Sequence, residues 1–163
     1  MAEKKGERVE EAQGVKPPNA CFGCGEANPD GMHLPFTWNY ETRRVHGVFQ
    51  LGKRYQGGTG MIHGGIIAVI LDEALGKVCR FDGVQAVTAE LDVEYLRPIR
   101  VDQEIHVEAF QASREDRNLH HEGEIRDSAG KLLARGRARF VIIDADKYRR
   151  TAGIEIPGND GKG

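Results

Sequence analysis

Cysteine is scarce in this 163-residue sequence, and charges of the two signs nearly cancel. Three cysteines are an odd number, which fits a reducing compartment better than a disulfide framework. The 23 basic and 25 acidic residues give a formal net charge of −2, so nothing in the balance suggests a polyanionic partner. We therefore expect a cytoplasmic protein that binds no nucleic acid.

A hydrophobic run long enough to span a membrane is also lacking. The longest run, residues 61–76, is interrupted by Asp72 and Glu73. Residues 1–18 are charged and poor in large apolar side chains, so they lack the apolar core of a signal peptide. The sequence therefore predicts no membrane partner. The 39% of hydrophobic residues is enough for one core.

The run at residues 61–76 predicts a buried central helix. From Gly65 to Leu71 the apolar residues leave no polar stripe, which at helical period indicates a helix covered on nearly all sides. A carboxylate in such a helix is costly, so Asp72 requires an explanation. One explanation is that the helix emerges into solvent there, with Glu73 and Lys77 forming an ordinary i,i+4 ion pair.

Aromatic and β-branched residues predict a β-hairpin at 33–40 and 43–50. Hydrophobic alternation predicts four more strands, at 85–96, 101–112, 119–125 and 134–142. The short connections between successive segments require antiparallel pairing. The fold class is therefore α+β, a curved antiparallel β-sheet wrapped around one long central helix. We divide the chain into a flexible tail at 1–18, a domain at 19–145 and a second flexible tail at 146–163.

Cys21 and Cys24 form a CxxC pair, which supplies two ligands where a structural zinc site normally needs four. Cys79 and His33 are nearby candidates by residue type, but neither has motif spacing. We therefore predict no metal, and interpret the segment as a lead-in that makes a tight turn at residues 28–31.

Two stretches together resemble one protein family. His63-Gly64-Gly65 opens the predicted helix and Asp72 follows nine residues after the histidine, in the setting HGGIIAVILDEALG. The lead-in CFGCGEANPDGM carries the second resemblance. Both are similar to the hotdog-fold acyl-thioesterases of the phenylacetate-degradation and THEM-like type. The resemblance implies a hotdog fold and hydrolysis of an acyl-CoA, with coenzyme A as part of the substrate and no other cofactor.

The resemblance also implies roles for residues around the helix. Asp72 would be the catalytic carboxylate, as nucleophile or general base. The Gly64 amide would donate to the oxyanion, with His63 helping to orient the carbonyl, because the first amides of a helix are unpaired and lie at its positive end. Thr88 matches a serine or threonine that assists the carboxylate, although alternation places it on the polar face of its strand.

Three further residues are candidates for substrate binding, namely Gln56, Met61 and Gly65. The family tends to carry an asparagine or glutamine six residues before the histidine, where this chain has Gly57. Either the glycine-rich loop shifts Gln56 into that place or the contact is missing.

A distance estimate adds a prediction about assembly. Gly64 and Asp72 are eight residues apart, which is about 12 Å along one helix. One carbonyl cannot touch both, so Asp72 should come from a second copy of the chain. The site would then lie at the interface of a homodimer, which the family assembles further into a homotetramer.

Three alternatives stay open. The arginines at 135, 137 and 139 could hold the phosphates of coenzyme A, but we favour cross-strand pairs with carboxylates and assign them no binding role. A non-catalytic acyl-CoA sensor could keep the fold, although it would not need a buried Asp72. An enoyl-CoA hydratase is disfavoured because His-Phe-Pro-Gly does not occur, although residues 116–121, DRNLHH, have the spacing of Asp-x-Asn-x-x-His.

Overall fold

A computed structural model describes residues 18–153, and the chain divides into two compact units, residues 1–33 and 34–163. In the first unit the turn predicted at residues 28–31 is confirmed. The backbone carbonyl of Asn28 accepts a hydrogen bond from Gly31 N–H at 3.0 Å, and the side-chain Oδ1 of Asn28 accepts one from Asp30 N–H at 3.0 Å. Gly25 is needed here, since a Cβ would lie 2.4 Å from the Cys21 nitrogen.

Between residues 34 and 153, the second unit contains one antiparallel sheet, two α-helices and two short 3-10 helices, the latter at Lys53–Tyr55 and Val78–Asp82. The strands are β1 (Thr37–Asn39), β2 (Arg44–Gln50), β3 (Ala86–Tyr95), β4 (Glu104–Glu115), β5 (Asn118–Asp127) and β6 (Leu132–Ile142). They pair in the order β1-β2-β4-β5-β6-β3. The long helix α1 (Gly64–Lys77) contacts every strand from β2 to β6. The predicted architecture, a sheet around one helix, is confirmed.

Helix α1 buries one stripe of side chains in the chain. The buried positions follow helical spacing, at Ile67, Ile70, Leu71, Ala74 and Leu75. Ile66, Val69 and Asp72 on the remaining surface are only half-buried. The expectation of a helix covered on nearly all sides is therefore wrong for a single chain, because the sheet covers one side of the helix only.

Two facing glycines let α1 lie close to the sheet. Gly123 on β5 pairs with Gly136 on β6. A Cβ on Gly123 would lie 3.2 Å from Leu75 Cδ2, and one on Gly136 would lie 3.3 Å from three side-chain atoms of Leu71. The absence of side chains at these two positions therefore sets the depth at which the helix packs.

A bulge in β3 overturns one predicted detail. The register against β6 shifts between Thr88 and Glu90, so Ala89 has no partner of its own. Thr88 pairs with the buried Phe140 and lies on the same face of the sheet. Regular alternation predicts Thr88 on the polar face of the sheet. The extra residue of the bulge places Thr88 on the opposite face.

The charged face of the sheet forms cross-strand ion pairs, as we favoured. Arg139 Nη2 lies 2.8 Å from Glu90 Oε1, and Arg135 Nη2 lies 3.4 Å from Glu124 Oε1. Arg137 Nε lies 3.8 Å from Glu122 Oε1. These arginines are therefore occupied by carboxylates on neighbouring strands.

A short helix, α2 (Ala145–Thr151), forms where the sequence predicted the start of a flexible tail. Its N-cap is Asp144, whose side chain accepts a bond from Lys147 N–H, and this cap explains why a polar segment turns helical. The rest of the second tail, and the first tail up to residue 17, lie outside the described residues. Among residues 18–153, no helix is long and apolar enough to cross a membrane.

Candidate active site

The first turn of α1 is organised by His63. This residue is the N-cap, with extended backbone angles, and its Nδ1 accepts a hydrogen bond of 2.9 Å from Gly65 N–H. The imidazole thus replaces the usual serine or aspartate cap. Because Nδ1 accepts from an amide, the neutral ring carries its proton on Nε2. The Gly65 amide, a predicted substrate contact, is occupied by this cap.

The Gly64 amide is the first backbone donor of α1. Within residues 18–153 it donates no hydrogen bond, and as the first amide of α1 it lies at the positive end of the helix dipole. The Gly64 carbonyl, in contrast, accepts a bond of 3.0 Å from the Tyr95 hydroxyl. The local geometry therefore offers an unused backbone donor, at Gly64 N–H.

A groove of about 350 Å³ opens beside this amide. His63, Gly64, Met61 and Tyr95 line it, together with the segment Leu96–Ile99. Met61 is 42% exposed and Tyr95 is 52% exposed, so both present apolar surface to a molecule that enters. Asp72 and Thr88 do not line this groove.

The loop before the helix holds Gln56 in a structural contact. Its Oε1 accepts a bond of 2.9 Å from Gly60 N–H, which closes the glycine-rich turn. Gly57 packs against His63, because a Cβ there would lie only 3.0 Å from His63 Cα. A side chain at position 57 would crowd His63, and the side-chain carbonyl of Gln56 is already used within its own loop.

Asp72 and Thr88 form a second cluster. Thr88 Oγ1 donates a hydrogen bond of 2.9 Å to Asp72 Oδ1. Burial raises the pKa of Asp72, the bond from Thr88 opposes that rise, and the charge of Glu73 adds to it. The result is a half-buried carboxylate whose charged form is supported by one hydroxyl, an arrangement suited to a base or a nucleophile.

Glu73 differs from Asp72 in its surroundings. Its Oε2 lies 3.4 Å from Lys77 Nζ, which is the i,i+4 pair predicted from the sequence. Asp72 takes no part in that pair and contacts Thr88 instead. The Glu73–Lys77 ion pair therefore does not explain the presence of the Asp72 carboxylate.

Two residues that matter here were missed in the sequence. In the sequence Tyr95 is one position of the alternating segment 85–96, although a hydroxyl at a strand end can reach a neighbouring helix. His121, on β5, is 1% exposed and its Nδ1 lies 2.8 Å from the Leu75 carbonyl. Burial lowers the pKa of His121, so the ring is neutral. The alternation of segment 119–125 places it on the face of the buried Leu119 and Ile125, whereas the half-buried His120 next to it lies on the opposite face.

Comparisons with known proteins agree with this architecture. The thioesterase superfamily matches residues 59–134, which include α1, β3 and β5. The acyl-coenzyme A thioesterase THEM4 of Rattus norvegicus is 31% identical over 118 residues, covering 72% of this chain and 51% of the relative. Residues 59–134 of this chain therefore belong to the thioesterase superfamily. The acyl-coenzyme A thioesterase THEM4 of Bos taurus is 28% identical over 142 residues, covering 86% of this chain and 56% of the relative.

Solved structures of thioesterase superfamily proteins share the fold. One such protein matches with a TM-score of 0.65 and 27% identity, over 69% of this chain and 55% of that chain. The E. coli PaaI protein of the phenylacetic acid degradation operon matches with a TM-score of 0.59 and 20% identity, over 62% of this chain and 73% of its own. The α+β hotdog fold is thus confirmed. This chain spans about half the length of the curated relatives it matches.

Proposed function

We propose that this chain is an acyl-CoA thioesterase, which hydrolyses an acyl-CoA to a free acid and coenzyme A. The observation that carries the proposal is the half-buried carboxylate of Asp72, with its pKa raised by burial and its oxygen held by Thr88. Two further facts support it. The rat and mouse relatives are named acyl-coenzyme A thioesterases, and a structurally similar hypothetical thioesterase from Streptococcus pneumoniae was solved with coenzyme A.

The chemistry needs a carboxylate and an oxyanion donor. Ionised Asp72 either removes a proton from a water that attacks the thioester carbonyl, or attacks the carbonyl itself and forms an anhydride that water then opens. In both routes the C–S bond breaks and coenzyme A leaves as the thiol after taking up a proton. The oxygen of water ends in the free acid or, by the second route, in one of the two carboxyl groups.

The Gly64 amide is the donor that we assign to the oxyanion. It has no acceptor within residues 18–153 and it borders the groove beside His63. A preorganised amide at a helix start stabilises negative charge that develops on a carbonyl oxygen. We assign Met61 to the groove wall. Gln56 and Gly65 are both tied into the local backbone, so we expect them to act through the shape of the site.

We further propose that the two clusters meet across a dimer. Gly64 and Asp72 lie about 12 Å apart along α1 at the usual rise per residue, too far for one carbonyl. Ile66 and Val69 lie on the helix surface that the sheet leaves half-exposed, and burying them would contribute to association. A homodimer with two equivalent sites, assembled into a homotetramer, satisfies both requirements.

Variants of the pneumococcal protein provide a reason to test the pair. Its structure was also solved with an aspartate replaced by alanine, and with a threonine sixteen positions later replaced by alanine. Asp72 and Thr88 are likewise sixteen positions apart. That protein is 15% identical to this chain, so the likeness establishes the fold, and the parallel spacing motivates paired substitutions here.

Thiol release from a panel of acyl-CoAs tests the activity. The panel should contain aromatic, short, medium and long aliphatic acyl groups, each assayed with and without a chelator. We expect stoichiometric thiol and free acid from at least one class, with no effect of the chelator because we propose no metal. Tight binding of an acyl-CoA without thiol above background would contradict the enzyme and favour the sensor.

Mixed dimers test the shared site. Gly64→Pro removes the proposed donor, and proline is well tolerated at the first helical position after an extended residue such as His63. Asp72→Asn removes the carboxylate. Each variant alone should be nearly inactive, whereas a 1:1 mixture after subunit exchange should regain about a quarter of wild-type activity, from one intact site in half of the dimers. No recovery despite proven exchange would place both groups in one chain.

A location in the cytoplasm also remains a proposal. It is supported by the odd number of cysteines, which fits a reducing compartment. Fractionation of cells that express the chain would test it.

A further inference from the structure

Tyr95, His63 and the peptide group between Gly64 and Gly65 form one chain of hydrogen bonds. The Tyr95 hydroxyl donates to the Gly64 carbonyl at 3.0 Å, and the Gly65 N–H donates to His63 Nδ1 at 2.9 Å. The Gly64 carbonyl and the Gly65 N–H belong to the same peptide group. The hydroxyl and the imidazole are thus connected through a single amide.

This chain of hydrogen bonds runs from the Tyr95 hydroxyl to the His63 ring. A donor at the carbonyl polarises the amide and makes its N–H a better donor, so each bond strengthens the next. At the end of the chain, Nδ1 is held as an acceptor and the proton of the neutral ring is fixed on Nε2. His63 Nε2 has no partner within residues 18–153, and His63 lines the groove next to the free Gly64 N–H.

The neighbouring loop positions the ring of His63. The ring lies against Gly57, where a Cβ would be 3.2 Å from His63 Cδ2, the carbon bonded to Nε2. Gln56, the nearest amide side chain in the sequence, accepts a bond from Gly60 N–H through its oxygen and does not line the groove, whereas His63 does.

In the proposed mechanism His63 helps to orient the thioester carbonyl beside Gly64 N–H. We infer that Tyr95 is a positioning residue for this step, because it fixes the ring tautomer of His63 through the Gly64–Gly65 peptide and so keeps Nε2–H as the donor. This inference rests on the proposed thioesterase function. It joins Tyr95, at the end of β3, and the first turn of α1 in one hydrogen-bonded group. It also gives the Gly65 amide a defined role that does not involve the substrate.

Two substitutions test the roles of His63 and Tyr95 separately. His63→Ser keeps a side-chain oxygen that can cap the helix but is too short to replace Nε2–H. We expect kcat to fall by about 10²-fold to 10³-fold, the usual loss for one oxyanion donor. Tyr95→Phe removes only the hydroxyl, and we expect kcat to fall about tenfold with a smaller change in KM. Tyr40→Phe is the matched control, since Tyr40 is 62% exposed and does not line the groove.

The ¹⁵N chemical shifts of the His63 ring provide a readout that does not depend on activity. The signal that disappears in His63→Ser identifies the residue. In the wild type we expect a protonated Nε2 and an unprotonated Nδ1, and in Tyr95→Phe a shift toward a mixture of tautomers.

Three results would overturn the inference. They are a wild-type ring protonated on Nδ1, full activity in His63→Ser, or unchanged kcat and ring shifts in Tyr95→Phe. Each leaves thiol release by the wild type intact, so the thioesterase proposal would survive. Absence of thiol release by a folded wild type with the expected tautomer would instead contradict the thioesterase proposal, and with it the donor role.

Discussion

Thr88 Oγ1 donates a 2.9 Å hydrogen bond to Asp72 Oδ1, and it reaches that carboxylate because β3 is bulged after it. Without the extra residue, regular alternation would direct Thr88 to the opposite face of the sheet. The bulge therefore brings a hydroxyl to the only aspartate of α1. A local irregularity in a strand thus sets the surroundings of the proposed catalytic group.

Replacing Thr88 should change the pH dependence of activity. The bond from Thr88 lowers the pKa of Asp72 against the effect of burial, so Thr88→Val should raise that pKa further. In the proposed mechanism the ionised carboxylate is the active form, and it would persist only at higher pH. We expect the acid limb of the kcat/KM profile to move to higher pH.

Thr42→Val, at an exposed position on the connection between β1 and β2, is the matched control for this change. Its acid limb should coincide with that of the wild type. A profile for Thr88→Val that stays in place, or moves to lower pH, would show that Thr88 does not support the charged form of Asp72.

His121 should make the fold less stable in mild acid. Burial lowers its pKa below the ordinary 6.5, so the unfolded chain binds a proton that the folded chain does not. The stability that the neutral ring contributes is present above the unfolded pKa and is lost as the pH falls. We expect the wild-type free energy of unfolding to decrease between pH 7 and about pH 5.

His121→Gln removes the titrating group but can still donate to the Leu75 carbonyl. It should cost about 1 kcal/mol at pH 7 through imperfect hydrogen bonding, and lose less stability than the wild type on acidification. Urea unfolding at the two pH values measures both effects. Parallel losses in the two proteins would mean that folding does not lower the pKa of His121.

Gly123 should tolerate no large side chain. A Cβ there would lie 3.1 Å from the backbone oxygen of Glu108 and 3.2 Å from Leu75 Cδ2, and the backbone oxygen cannot move easily. We expect Gly123→Val to lower the free energy of unfolding by about 1–3 kcal/mol. Glu122→Val, one residue earlier on the charged face, should change it by about 0.5 kcal/mol or less. Equal effects would indicate that helix packing does not depend on this glycine.

The fold could be predicted because its signals are periodic. Alternation located all the long strands, and the run at residues 61–76 located α1, since both patterns repeat over many residues. The ion pairs of Arg135 and Arg139 followed from the same alternation, which places opposite charges on neighbouring strands. These features depend on average patterns and not on single atoms.

The site was less accessible from the sequence. The bulge after Thr88 inserts one unpaired residue, Ala89, and so changes the face of the sheet on which Thr88 lies. No motif distinguishes Ala89 from its neighbours. The contact between Tyr95 and Gly64 joins residues 31 positions apart, which only the packing of β3 against α1 brings together. The half-exposed side of α1 was missed because a run of apolar residues does not show which side the sheet covers.

The most direct test compares two adjacent carboxylates on α1. Asp72→Asn and Glu73→Gln each replace one acidic side chain by its amide, and thiol release from the best acyl-CoA substrate is measured with folding and oligomeric state checked. We expect Asp72→Asn to lower kcat by about a hundredfold or more, while Glu73→Gln keeps most of the activity. If Asp72→Asn hydrolysed the substrate as fast as the wild type, Asp72 would not be the catalytic carboxylate and the proposed mechanism would be wrong.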